Sequence, residues 1–244
     1  MTLLTVEAVG CRFGALWAVN HVSFEVAQGE IVGIIGPNGA GKTTLFNMIA
    51  GTLTPSTGRI RFSGQKISGE KSYEVARRGV ARTFQIPKPF KQLTVQENVM
   101  LSALQRHRSL RVAGPLARLS IEFIGLDGLA ATPVANLTVG QLKRLEVARA
   151  LATEPRLILL DEVMAGLTPA EIKEMMIVIG SLPERGITVL WVEHVMMAIM
   201  NVAHRLIVLH QGTLIAQGAP AAVARNPAVI KAYLGESYSY AARV

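Results

Sequence analysis

Gly36-Pro37-Asn38-Gly39-Ala40-Gly41-Lys42-Thr43-Thr44 fits the pattern G-x-x-x-x-G-K-[ST], the loop that wraps the phosphates of a nucleotide. Before it, Ile31-Val32-Gly33-Ile34-Ile35 reads as a buried strand. After it, Leu45-Phe46-Asn47-Met48-Ile49-Ala50 reads as the first turns of a helix. Strand, glycine loop and helix form the context in which this pattern binds phosphate. Glycines let the backbone curl until several N–H groups point at anionic oxygens, and the helix N-terminus adds partial positive charge. Lys42 is placed to reach the outer phosphates and the Thr43 hydroxyl to hold a magnesium ion.

A second stretch supplies chemistry for a bound nucleotide. Leu157-Ile158-Leu159-Leu160-Asp161-Glu162 is a buried apolar strand delivering two carboxylates at its carboxyl end, the edge where open parallel sheets bind ligands. Asp161 sits where a carboxylate holds Mg²⁺, usually through water. Glu162 is free to polarise a water for attack on a γ-phosphate. Gly186-Ile187-Thr188-Val189-Leu190-Trp191-Val192-Glu193-His194 repeats the design, an apolar strand ending in polar residues.

Between these landmarks the chain alternates β and α. Leu3 to Val9 and Val22 to Val26 read as strands joined through Gly10–Gly14, where Phe13 is an aromatic able to stack on a base. Arg59–Phe62 and Val80–Gln85 read as further strands, the latter broken by Pro87 and Pro89. From Thr94 to Asn136 the apolar spacing turns helical, through Val95, Val99, Leu101, Leu104, Leu116, Leu119, Ile121 and Ile124, as a lobe inserted into the nucleotide domain. A helix is expected over Leu142–Leu151. Thr168-Pro169-Ala170-Glu171 supplies an N-cap, a proline at the first helical position and a closing glutamate. Met175, Met176, Met196, Met197 and Met200 read as gap-filling core. A hairpin across Gly212, two short helices broken at Pro227 and a loose tail over 237–244 complete the chain.

Half the residues are hydrophobic, yet no apolar run approaches the ~18 residues of a membrane span. The N-terminus has no basic cluster, so no signal peptide is expected. Cys11 is alone and suits a reducing compartment, as a small buried hydrophobe. The net charge of +8 is concentrated: from Lys66 to Arg118 eleven Lys or Arg stand against Glu70, Glu74 and Glu97. Such a face suits anionic headgroups or an acidic partner. No basic stripe interleaved with aromatics is present, so nucleic acid is not expected as a partner.

Gly36 to Thr43, Gln85, Leu137 to Gln141, Leu157 to Glu162 and His194 occur in the order and rough spacing of the ATP-binding cassette family, which the chain resembles over about residues 3–235. More narrowly, Ala81–Gln85 with Leu93–Val99, and the end Asn226–Glu236, look like the ATPase subunits of branched-chain amino-acid importers. The resemblance implies an α/β fold: a P-loop NTPase core with a mixed, mostly parallel sheet, an antiparallel β subdomain and a helical subdomain inserted over about 87–137. It implies one domain over 1–236, with ATP and Mg²⁺ as cofactors. Cassette ATPases work as head-to-tail dimers, each ATP held between the phosphate loop of one subunit and the signature loop of the other. By this resemblance Gly36, Pro37, Asn38, Gly39, Ala40, Gly41, Lys42, Thr43 and Thr44 bind the phosphates. Thr138, Gly140 and Gln141 would reach the γ-phosphate across the interface, and Phe13 with Val19 would take the adenine. Thr43, Gln85 and Asp161 would serve the metal. Glu162, with His194, Gln85 and Lys42, would carry catalysis.

The implied partners are a second identical or related ATPase, two membrane permease subunits and, indirectly, a substrate-binding protein. The implied place is peripheral, on the cytoplasmic side of the inner membrane. The sequence departs from the family pattern in three places, at four positions. Thr138 and Val139 replace Ser and Gly of the usual signature, Val163 replaces the common Pro after Glu162, and Thr168 stands where Asp or Asn is usual. Other cargo (urea, an amide, an exported lipid) and a soluble cassette acting on ribosomes or DNA remain as alternatives. Intact Lys42, Asp161, Glu162 and His194 speak against a non-hydrolysing regulator.

Overall fold

The computed structural model describes residues 1–234. The tail expected over 237–244, and Gly235 and Glu236, lie outside them. In chain order the strands are β1 (Thr2–Phe13), β2 (Leu16–Ala27), β3 (Ile31–Ile35), β4 (Thr57–Phe62), β5 (Gln65–Lys66), β6 (Val80–Arg82), β7 (Leu157–Asp161), β8 (Thr188–Val192), β9 (Arg205–His210) and β10 (Thr213–Gly218). The helices are α1 (Lys42–Ile49), α2 (Ser72–Arg77), α3 (Val95–Leu104), α4 (Leu110–Phe123), α5 (Val139–Leu151), α6 (Pro169–Gly180), α7 (Met196–Val202), α8 (Pro220–Ala224) and α9 (Pro227–Leu234).

The central sheet has the order β10-β9-β3-β8-β7-β6. Every neighbouring pair is parallel except the antiparallel edge pair β9–β10. β3, β7 and β8 are buried along their whole length because both faces of this sheet are covered. Alternation divides each of them between two cores. Val32, Ile34, Leu159, Leu190 and Val192 pack toward the second sheet and α1. Ile31, Ile35, Ile158, Leu160, Val189 and Trp191 pack in the other core with Leu145, Met175 and Ile199. Each fully buried Leu or Ile contributes about 1.5–3 kcal/mol. The second sheet, β2-β1-β4-β5, is antiparallel. Cys11 on β1 is buried within it, and that burial pushes its thiol pKa up.

Several local expectations change. Gly10–Phe13 is strand, not connection, and the hairpin turns at Gly14 and Ala15. β6 stops at Arg82, three residues before Gln85. The helical stretch divides into α3 and α4, and its buried face is built partly from Ala103, Ala113 and Ala117, whereas Leu101 and Leu119 are exposed. Met175 is core, but Met197 is half exposed.

α5, α6 and α3 begin with the same device. The hydroxyls of Thr94, Thr138 and Thr168 cap the amides of Glu97, Gln141 and Glu171, and those side chains reach back to the threonine amides. Thr168, which departs from the family pattern, serves here as an N-cap, a role that Asp or Asn fills at least as well. Thr168→Ala is expected to cost about 1 kcal/mol and to lower the thermal midpoint by roughly 2–4 °C. Circular-dichroism melting checks this, and an unchanged midpoint would show the cap to be idle.

Candidate active site

β3 ends at Ile35 and α1 starts at Lys42, so the glycine loop spans the gap between strand and helix. Two of its glycines are irreplaceable. Gly36 and Gly41 hold φ of +153° and +100°. A Cβ on Gly36 would lie 2.1 Å from the Leu209 carbonyl oxygen, and one on Gly41 2.4 Å from that of Ala18. Only glycine tolerates both the conformation and the approach. Lys42 is buried, and its ammonium donates to the carbonyls of Gly36 (2.7 Å) and Pro37 (3.0 Å). Burial pulls its pKa down, while the Glu162 and Asp161 carboxylates act in the opposite sense.

The other wall comes from the carboxyl ends of β6, β7 and β8. Beyond β7, Glu162 takes φ +49°, a left-handed conformation that costs a non-glycine residue energy. Its amide donates to the Val192 carbonyl (2.9 Å). One Glu162 oxygen lies 3.0 Å from Nε2 of His194, and the other accepts from Nε2 of Gln85 at 2.6 Å. A carboxylate is thus clamped from both sides. A cleft of about 400 Å³ runs between this clamp and the loop from Asn38 to Thr44, with Ala18 at its side. Convergent amides, a lysine and the start of α1 suit phosphate. A clamped carboxylate across the same cleft suits a water to be activated.

Not every expected residue lines the cleft. Asp161 is buried behind it, its carboxylate paired with Arg82 at 2.9 Å, and Arg82 also donates to Asn47 (2.6 Å). Phe13 is 54% exposed at the end of β1, which leaves its ring available to a ligand and excludes a core role. Val19 is corrected: it is fully buried and would meet a Gly41 Cβ at 3.1 Å, so it supports the loop from beneath and offers no face to adenine. Thr138 and Gln141 are occupied in the cap of α5. Gly140 is buried, and a Cβ there would lie 2.1 Å from Oε1 of Glu171, the far end of a flexible side chain that can move aside. Val139 beside it stands 59% exposed, while Val163 is core.

Sequence reading missed three contributors. Lys143 and Glu193 are buried charges directly behind the clamp. The third is Tyr233 of α9, whose hydroxyl faces the Gly36 amide at the start of the loop; burial raises its pKa, and that amide acts in the opposite sense. A signal existed for Lys143: it lies one turn from Gly140 and Glu146, on the buried face of α5.

The family profile described as ABC transporter matches residues 19–165. A second, described as branched-chain amino acid ATP-binding cassette transporter, matches residues 213–239. The chain is 40% identical over 252 residues to the high-affinity branched-chain amino acid transport ATP-binding protein BraF of Pseudomonas aeruginosa, covering 96% of this chain and 98% of that one. It is 40% identical over 251 residues to the corresponding protein LivG of Escherichia coli K12, with the same coverage. Among solved structures, a nucleotide-free ATP-binding cassette from an ABC transporter matches with a TM-score of 0.87 at 33% identity, covering 97% of this chain and 100% of that one. A dimeric cassette in a post-hydrolysis state with ADP and Pi matches with a TM-score of 0.80 at 26% identity, covering 89% and 99%. A profile spanning more than half the sequence, and relatives alike from end to end, lead to one conclusion: this chain belongs to the ABC transporter family.

Proposed function

We propose that this ATPase drives an importer of branched-chain or other hydrophobic amino acids through separate permease subunits. The observation that carries the reading is the end-to-end likeness, at 40% identity, to two ATP-binding proteins of branched-chain amino-acid transport. In this reading the amides of Asn38–Thr44 and the Lys42 ammonium take the phosphates, and the Phe13 ring packs on adenine. The oxygen donors fit a small hard cation: the Thr43 hydroxyl, the Gln85 side-chain carbonyl, whose amide nitrogen is committed to Glu162, and the deeper Asp161 carboxylate through water. Mg²⁺ bound there supplies charge neutralisation on the phosphate oxygens. Glu162 draws a proton from the attacking water, while His194 and Gln85 keep its carboxylate in line. Thr138, Gly140 and Gln141 reach the γ-phosphate from a second copy or a related ATPase, so that ATP closes the pair and hydrolysis with phosphate loss reopens it.

Among the described residues no helix is long and apolar enough to cross a membrane. The chain therefore sits peripherally in this proposal, on the cytoplasmic side of the inner membrane. Two permease subunits hold it there, and a substrate-binding protein acts indirectly. The helical lobe over about 87–137 carries the docking side. A groove of about 350 Å³ is lined by Tyr73 and Ala76 of α2, Ser102 of α3, and Phe84 and Gln105. Arg108 and Arg111 are exposed on the cationic stretch beyond α3. Reversing both to Glu is expected to lower the membrane-bound fraction by about fivefold or more per residue at low salt. Unchanged sedimentation with membranes would separate this face from the membrane.

The test is a pull-down of tagged Glu162→Gln protein from gently solubilised membranes with Mg-ATP. Recovery of multi-span permease subunits supports the importer, and any second cassette recovered defines the pair. Ribosomal or DNA-associated proteins without membrane subunits would overturn it.

A further inference from the structure

Two buried charges sit behind the cleft without facing it. We propose that Lys143 and Glu193 form one positioning unit for ATP hydrolysis, holding the main chain of Gln85, Glu162 and His194 in register with the helix that begins after Thr138.

Lys143 is 4% exposed, and its ammonium donates to the carbonyl oxygens of Gln85 (2.6 Å) and Glu162 (3.0 Å). Glu193 is 1% exposed. One of its oxygens accepts the amides of His194 (2.9 Å) and Val195 (3.4 Å), and the other accepts that of Met164 (3.2 Å). The three side chains that meet at the Glu162 carboxylate therefore each have their own backbone held by one of these two charges. Desolvation lowers the Lys143 pKa, and the Glu193 carboxylate leads the groups that oppose this. Burying ions is costly, and apolar side chains would fill the same space. They would leave buried carbonyls and amides without partners.

The arrangement bears on the hydrolytic step in particular. Glu162 is held in a left-handed conformation, and the bond from Lys143 fixes where its carbonyl points. Lys143 lies on α5, one turn beyond Gly140, so a shift of α5 moves the Gln85 and Glu162 backbones together. The phosphate loop over Asn38–Thr44 takes no bond from either residue. Loss of the unit should therefore misplace the carboxylate and lower kcat, with little effect on ATP affinity; a displacement of about 1 Å can cost on the order of 10²-fold. The inference rests on the proposed role of Glu162.

The test uses the full chain. Lys143→Met, Lys143→Arg, Glu193→Gln and the double variant Lys143→Met/Glu193→Gln are compared with Glu162→Gln, reading kcat, equilibrium ATP binding and the thermal midpoint. Lys143→Met and Glu193→Gln are each expected to lose at least about tenfold in kcat, with ATP affinity within about threefold of the parent. Lys143→Arg should regain most of the rate, and the double variant should lose about as much as the worse single, as parts of one unit do. Glu193→Gln is near-isosteric and keeps the test sound if Lys143→Met folds poorly. A kcat within about twofold of the parent in both singles would overturn the proposal. So would a joint fall of kcat, affinity and midpoint without rescue by Arg, or losses that multiply in the double variant. If Glu162→Gln itself keeps the parent's turnover, the site assignment falls and takes this inference with it. If it loses turnover while both singles keep theirs, this inference falls alone.

Discussion

Glu162→Gln is expected to lower ATP turnover by about 10²–10⁴-fold while ATP affinity stays within about threefold of the parent. The clamp explains why so small a change matters. His194 Nε2 and Gln85 Nε2 approach opposite oxygens of Glu162 at 3.0 and 2.6 Å. A carboxylate accepts from both and retains the basicity to take a proton. A carboxamide offers one acceptor and one donor, so with Nε2 of His194 protonated one contact becomes donor against donor. The chemistry loses its base, and the geometry loses one arm of the clamp. Nucleotide binding resides across the cleft and should persist. Phosphate release under single turnover, beside a binding titration, separates the two. Turnover within tenfold of the parent would remove Glu162 from the mechanism.

Lys42→Ala should show the reverse pattern, with binding lost first. Truncating one member of a desolvated charge pair costs about 2–5 kcal/mol, which is a loss of roughly 30-fold to several-thousand-fold in affinity. Lys42 is buried at the mouth of the loop and, among the described residues, its ammonium bonds to the loop carbonyls of Gly36 and Pro37, so its removal is expected to leave the fold outside the loop in place. Fluorescent-nucleotide titration reads the affinity, and an unchanged thermal midpoint without nucleotide shows that the chain is intact. Affinity within about threefold of the parent would mean that the loop amides alone hold the phosphates.

Much of this molecule is legible from local signals. The strand, loop and helix around Gly36–Thr44 lie where the sequence places them because all three are encoded in adjacent residues. Thr168, Pro169 and Glu171 mark the start of α6 for the same reason. Asp161 and Glu162 follow from a four-residue apolar run, too short for a helix and closed off by Pro155 on one side and the two carboxylates on the other. Gly10 misleads because its role is not local. A Cβ there would meet Oγ1 of Thr57 at 2.5 Å and Trp17 at 2.9 Å, so it is glycine for close strand packing and not for a turn. Leu101 and Leu119 mislead because α3 and α4 bury small alanines where the helices approach, leaving larger side chains outside. Glu193 was hidden for a further reason, since its burial depends on α5, β7 and β8 coming together, while for Lys143 the helical spacing from Gly140 and Glu146 was the one local hint.

Cys11 has a practical corollary. It is the only cysteine in the sequence and is 2% exposed, with its thiol held protonated by burial. The native protein is therefore close to silent toward maleimide dyes, and one engineered surface cysteine becomes an address for a fluorophore or spin label without first rebuilding the core. Val139→Cys, at a site 59% exposed beside the α5 cap, would put that reporter where a second copy is proposed to approach. Interprobe distance during the ATP cycle then becomes directly readable.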